Sequence, residues 1–130
     1  MGNSVFCFIN PITAEQDFKT FNNSLLIGSL EHFNIKAEAS GRNDLQVGEK
    51  KISGSAYKLK LGRTNGIGRR SLHHGTMLLN LDLTSLGKYL NPNKKKLESK
   101  GVDSVIARVM NLVEANPQIN HDNFSTSLTE

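Results

Sequence analysis

The sequence predicts a single α/β or α+β domain, and three observations lead there. Its 130 residues suffice for one hydrophobic core. Its composition, 37% apolar and 22% charged, is that of an ordinary globular chain. Apolar runs with strand character alternate with helix-periodic stretches, and no segment repeats.

Val5 to Ile9 is a nearly unbroken apolar run, the mark of a buried strand, closed by the turn signal Asn10-Pro11. Thr13 suits an N-cap, and Gln16 three residues on completes a capping-box pattern. The helix that follows is expected to turn Phe18, Phe21, Leu25 and Leu30 to the core and to end near Phe33-Asn34. "KAEAS" (36–40) and "DLQV" (44–47) are short strands with Gly41 as punctuation between them. Gly48-Glu49 reads as a tight turn into a strand from Lys51 to Leu59. Residues 61–71 hold three glycines and three arginines and read as a basic loop. "LHHGTMLLNLDL" (72–83) is the most apolar run and the expected central strand. A short helix over Thr84 to Leu90, the turn Asn91-Pro92, a lysine run at 94–96, a stretch around Val105 to Leu112 and a final helix starting near Asp122 complete the chain.

A formal charge of +4 and a pI near 9.3 suit a nucleotide, an acidic protein surface or nucleic acid. Cys7 is the only cysteine, so an internal disulfide is excluded and a reducing, intracellular setting is expected. Cys7 itself is read as a buried core residue within its apolar run. No apolar run reaches the roughly 18 residues of a membrane span, and the first residues carry no secretory pattern. The chain also enters a strand within a few residues of Met1, which reads as a truncated start.

Three stretches offer chemistry. "KKISGSAYK" (50–58) sets small residues behind a lysine pair, where a strand made only for packing would carry branched or aromatic side chains. Strict alternation puts Lys51, Ser53 and Ser55 on one face, with Ile52 and Ala56 toward the core. Gly54 then lets a ligand approach the backbone, and a cation beside hydroxyls suits a phosphate or a polarised carbonyl. The same pattern also describes an edge strand with solvated lysines. "GRNDL" (41–45) groups Arg42, Asn43 and Asp44, able to hold a phosphate and a magnesium ion, although Asn-Asp after Gly is also plain turn composition. In "HHGT" (73–76), strand neighbours face opposite sides, so His73 and His74 do not make a metal pair, and Gly75 marks a close backbone approach or a bulge. Residues 62–70 lack the Walker spacing.

In order and spacing, "AEASGRNDL", "KKISGSAYK", "HHGTMLLNLDL", "YLNPNKKKLESKG" and "SVIARVMNL" closely resemble the lipoate-protein ligase A family, over about Gly2 to Glu114. The resemblance implies a mixed β-sheet with flanking helices, the fold shared with biotin-protein ligases and octanoyl transferases. It implies that lipoate is activated by ATP, with Mg2+, to lipoyl-AMP. The lipoyl group then passes to a lysine on a lipoyl domain of a 2-oxoacid dehydrogenase complex or on the glycine-cleavage H protein. No nucleic acid or membrane partner is implied. The family's essential lysine falls on Lys51. Asn43 and Asp44 match its polar turn near nucleotide and metal, with Asp44 the Mg2+ ligand, and Ser53, Gly54, His74, Gly75 and Thr76 match pocket-lining segments. The family's arginine and glycine-rich segment falls upstream of Gly2-Asn3, so residues 1–130 are expected to be the central, N-terminally truncated portion of one catalytic domain. The setting is the mitochondrial matrix for a eukaryotic chain and the cytoplasm for a bacterial one. Two rival readings stand beside this. An octanoyl transferase would carry a nucleophilic cysteine after an Asn-Pro-like turn, whereas Asn91-Pro92 precedes Asn93 here. A non-catalytic module would dock acidic lipoyl domains without chemistry.

Overall fold

A computed structural model describes residues 2–12, 17–41, 43–63, 68–85 and 108–130. Five strands form one antiparallel sheet in the order β1-β5-β4-β3-β2. They are β1 (Asn3–Pro11), β2 (Glu38–Ser40), β3 (Asp44–Val47), β4 (Lys50–Lys60) and β5 (Arg70–Leu78). Among the described residues, helices α1 (Phe18–Glu31) and α2 (His121–Thr129) are the other long elements. A single parallel bridge, Lys51 with Val109, adds the segment after residue 108 to β4. The sheet is therefore mixed only at that point.

Four strands begin and end within about two residues of where the pattern sets them, while β5 ends at Leu78, five residues short of the expected Leu83, and two further expectations need correction. The apolar run at Val5 to Ile9 is not buried on both faces. β1 lies at the sheet edge and alternates, with Ser4 and Phe6 buried while Val5 and Ile9 are 72% and 64% exposed. Cys7 shares that open side and is exposed, not part of the core. In α1 the helix begins at Phe18 under an Asp17 cap, whose carboxylate accepts from the Lys19 and Thr20 amides. Thr13 and Gln16 lie outside the described residues. Its buried stripe is Asn22, Leu26, Ser29 and Leu30, leaving Phe21 and Leu25 half exposed. Leu26 and Leu30, four residues apart, share a helix face that Phe21 and Leu25 do not point along.

The end of α1 is legible in its chemistry. Asn34 adopts φ +57°, and the Ile35 and Asn34 amides bond back to the Leu30 and Glu31 carbonyls. That pattern is a Schellman turn, sealed by buried Leu30 and Ile35. α2 starts at an Asn120 cap, close to the expected Asp122. The core joins Met77, Leu45, Ile52 and Phe6 of the sheet to Leu26 and Leu30 of α1 and Phe124 of α2. The helices thus cover one sheet face. Thr84 and Ser85 are helical, while the rest of the expected short helix, Asn91-Pro92 and the lysine run lie outside the described residues.

Candidate active site

The free face of the sheet carries a cleft of about 280 Å³, lined by Asn43, Asp44, Lys51, Gly54, Ser55, Ala56, His74, Gly75 and Thr76. Register explains the grouping. Gly54 lies opposite both Asp44 and Thr76, and Ala56 lies opposite His74, so these five share one face. Ser53 instead pairs with Leu45 and Met77 and is 1% exposed on the helix side. It does not line the cleft.

Lys51 reaches the cleft because the alternation is broken. Leu45 pairs with Ser53 but Gln46 pairs with Lys51, so Ile52 is an extra residue in β4. This β-bulge buries Ile52 and Ser53 in succession and turns Lys51 onto the face of Gly54. The expected face shared by Lys51, Ser53 and Ser55 is therefore corrected, and Ala56 faces the cleft, exposed, instead of the core. Gly54 has a second use besides ligand approach. A Cβ there would stand 3.2 Å from both Lys51 Cε and Nζ, so the glycine makes room for the lysine itself.

Lys51 Nζ lies 2.9 Å from Asp44 Oδ1, and both side chains are about two-fifths exposed. An ion pair so exposed contributes about 0–1 kcal/mol. Its use is orientation, holding an ammonium over the cleft where an anion can displace the carboxylate. The Lys51 backbone is fixed more firmly. Its amide donates to the Arg108 carbonyl at 2.7 Å, and its carbonyl accepts from the Met110 amide at 3.0 Å. Asn111 anchors that segment in turn, its buried amide bonding both the amide and the carbonyl of Leu81 at 2.8 Å. On the other side, the Ser55 amide bonds the Asn43 carbonyl at 2.8 Å and ties the polar turn to β4. Arg42 lies outside the described residues.

The two histidines point apart, as alternation requires: His74 is exposed toward the cleft and His73 is wholly buried. His73 Nε2 lies 2.9 Å from Ser55 Oγ, and its ring packs on Tyr57 with centroids 4.4 Å apart. Burial, with smaller contributions from His74 and Lys19, lowers its pKa to about 4. Unfolded, the same group takes its proton near 6.5. Between those values the unfolded chain holds more protons, so stability is full above pH 6.5 and falls as pH drops toward 4. The total loss is on the order of 3 kcal/mol. Denaturant titrations across that window should show it, and His73→Gln should flatten the slope. An unchanged slope would mean His73 is not held neutral.

Asp44 is, among the described residues, the one carboxylate lining the cleft. Among the described residues, no three His, Cys, Asp or Glu side chains gather as a metal cage. That arrangement fits a magnesium ion carried mainly by phosphate oxygens with one carboxylate, and does not fit an all-protein site.

The sequence profile described as the lipoyl protein ligase A/B catalytic domain matches residues 1–130. The chain belongs to this family. Lipoate-protein ligase A of Psychrobacter cryohalolentis is 46% identical over 131 residues, covering 100% of this chain and 36% of that protein. The crystal structure of P. falciparum LipL1 in complex with lipoate is 39% identical with a TM-score of 0.74, covering 98% of this chain and 33% of that one. A bipartite lipoate protein ligase from Thermoplasma acidophilum, described with its E2 lipoyl domain, shares the fold at 24% identity and a TM-score of 0.78. The chain thus spans about a third to a half of the proteins it resembles. The family's sheet with flanking helices is the architecture seen here, and its lysine-bearing β4 lies at the centre.

Proposed function

We propose that this lipoyl protein ligase chain supplies the part of the active site that holds the acyl-adenylate, with Lys51 as the activating cation. The observation that carries the reading is the lysine turned by a bulge over a glycine floor, in a cleft with one carboxylate and a polar turn. In the whole protein, lipoate and ATP would form lipoyl-AMP with release of pyrophosphate, and the acyl group would pass to an acceptor lysine. Lys51 Nζ would leave Asp44 for the acyl carbonyl and phosphate oxygens and stabilise the charge that develops during attack. Asp44 would supply the protein ligand for a Mg2+ ion otherwise held by the phosphates, an ion that would neutralise phosphate charge. Asn43, His74 and Thr76 would line the nucleotide, Gly54 would let it lie close to the strands, and Gly75, whose missing side chain faces Phe6, would lie beneath it through its backbone. The cleft volume is below the about 300–1,000 Å³ usual for small-molecule sites, so it suits part of the adenylate.

The acceptor, on this reading, is a lipoyl domain of a 2-oxoacid dehydrogenase complex or the glycine-cleavage H protein, and the setting is the matrix or the cytoplasm. One observation keeps the cysteine-dependent transferase in view. Cys7 is exposed and pairs across the strands with His74 at the cleft edge. Incubating the full-length protein with lipoate and ATP, then assaying lipoyl-AMP and pyrophosphate, separates the two. Cys7→Ser is expected to leave adenylate formation and acyl transfer unchanged. Because Cys7 is exposed, the variant should also melt within about 0.5 kcal/mol of the parent, not with the loss a buried hydroxyl would bring. A thioester trapped on Cys7, with transfer abolished in the variant, would replace the ligase reading.

A further inference from the structure

Charge along the chain is sharply segregated. Between Lys50 and Leu81, the ribbon of β4 and β5, stand seven of the sixteen lysines and arginines and none of the twelve acidic residues. The remainder of the sequence carries more carboxylates than cations, so the chain's net positive charge belongs to this one ribbon. Among the described residues, the ribbon's one ion pair is Lys51 with Asp44.

The strand register places part of that charge beside the cleft. Lys58 lies opposite Leu72 and Lys60 opposite Arg70, two and four residues beyond Ala56 on the same strand. Beyond the bulge, from Gly54 onward, even-numbered positions of this ribbon face the cleft side, so Lys58, Lys60 and Arg70 extend the cleft floor outward as a cationic track. All three are exposed. At roughly 3.3 Å per residue, the lysines stand about 7 and 13 Å from the cleft floor.

We infer that this track docks an acidic protein domain whose target lysine enters the cleft, a reading that rests on the adenylate site proposed above. A domain bringing a primary amine to an acyl-adenylate must present it from the open side of the sheet, and its surface around that lysine would lie on the track. Carboxylates there would meet Lys58, Lys60 and Arg70 as rim contacts, which speed encounter and set orientation more than they add affinity. Nucleic acid is the less suited occupant. The ribbon's one Phe, Tyr or Trp side chain, Tyr57, is packed against His73 on the helix side, so Lys58, Lys60 and Arg70 have no such ring among them on which a base could stack.

The test uses the full-length protein and an apo E2 lipoyl domain, with binding measured by calorimetry and needing no chemistry. Lys58→Glu combined with Lys60→Glu and Arg70→Glu is expected to weaken binding by about tenfold or more, while pyrophosphate release from lipoate and ATP is unchanged. The unmodified protein should lose affinity for the domain steeply between about 0.05 and about 0.3 M salt, a readout independent of any substitution. Binding that is equal in the triple variant and indifferent to salt would overturn the proposal. So would a duplex oligonucleotide that outcompetes the domain and alone is lost in the variant. Loss of adenylate formation without any role for Lys51 would instead remove the site reading and leave the docking result standing.

Discussion

Replacing Lys51 with alanine in the full-length protein is expected to cut lipoyl-AMP formation by about 10²–10³-fold, with little change in melting temperature. The two halves of that expectation have separate causes. Removing one preorganised charge contact from a site of developing charge costs about 3–4 kcal/mol in the transition state. Stability is spared because the pair with Asp44 is about two-fifths exposed and contributes about 0–1 kcal/mol. The bonds that Lys51 makes to Arg108 and Met110 belong to its backbone, and alanine keeps them. Pyrophosphate release reports the first effect and a thermal melt the second. Near-normal turnover would remove Lys51 from the chemistry, and a large loss of stability would mean the ammonium is structural.

The sheet was legible because its punctuation is local. Gly41 and Gly48 sit at φ +59° and +58°, where a turn reverses the chain, and the one strand between them, β3, is short. Which face of β1 is covered has a non-local cause, its place at the sheet edge. An apolar run such as "VFCFI" says that a strand is sticky, not which neighbours cover each face. The middle of the α1 stripe departs from the pattern because Phe21 and Leu25 outrank Asn22 and Ser29 in hydrophobicity, yet the latter pair turns inward beside Leu26 and Leu30. Asn22 meets Asn10 at 3.4 Å, a contact that no hydrophobic pattern anticipates.

For the candidate site, residue types were legible and their facing was not. A bulge inserts one residue without any fixed sequence signature, so strict alternation sent Ser53 to the cleft and left Ala56 in the core. The small residues at 53–56 were a sound signal that something approaches closely, but part of what approaches is Lys51. The support from Arg108 to Asn111 lay almost 60 positions from Lys51 and had no local mark beyond its place in "SVIARVMNL".

Gly75→Ala is expected to be the most destabilising of the cleft substitutions, by about 3 kcal/mol or more. The apolar strand around Gly75 already signals a close approach, and the structure supplies the neighbours. An alanine Cβ would lie 2.6 Å from the Gly54 carbonyl oxygen and 2.6 Å from Phe6 Cζ, with Ser55 Oγ at 2.9 Å. The carbonyl belongs to the adjacent strand and cannot yield without separating β4 from β5. Phe6 is held edge-on to His73 at 5.2 Å and has little room to retreat. Gly54→Ala presents the contrasting case, because the closest atoms to its Cβ would be the flexible end of Lys51 at 3.2 Å, with Asp44 Oδ1 at an ordinary 3.9 Å. That variant should keep most of its stability and lose activity as the ammonium is displaced. For a chain of this size, the Gly75 variant should melt about 10 °C lower or more. A parental melting temperature for Gly75→Ala would show that β4, β5 and Phe6 are not packed as closely as described, and would take away the glycine-floored cleft on which the role of Lys51 depends.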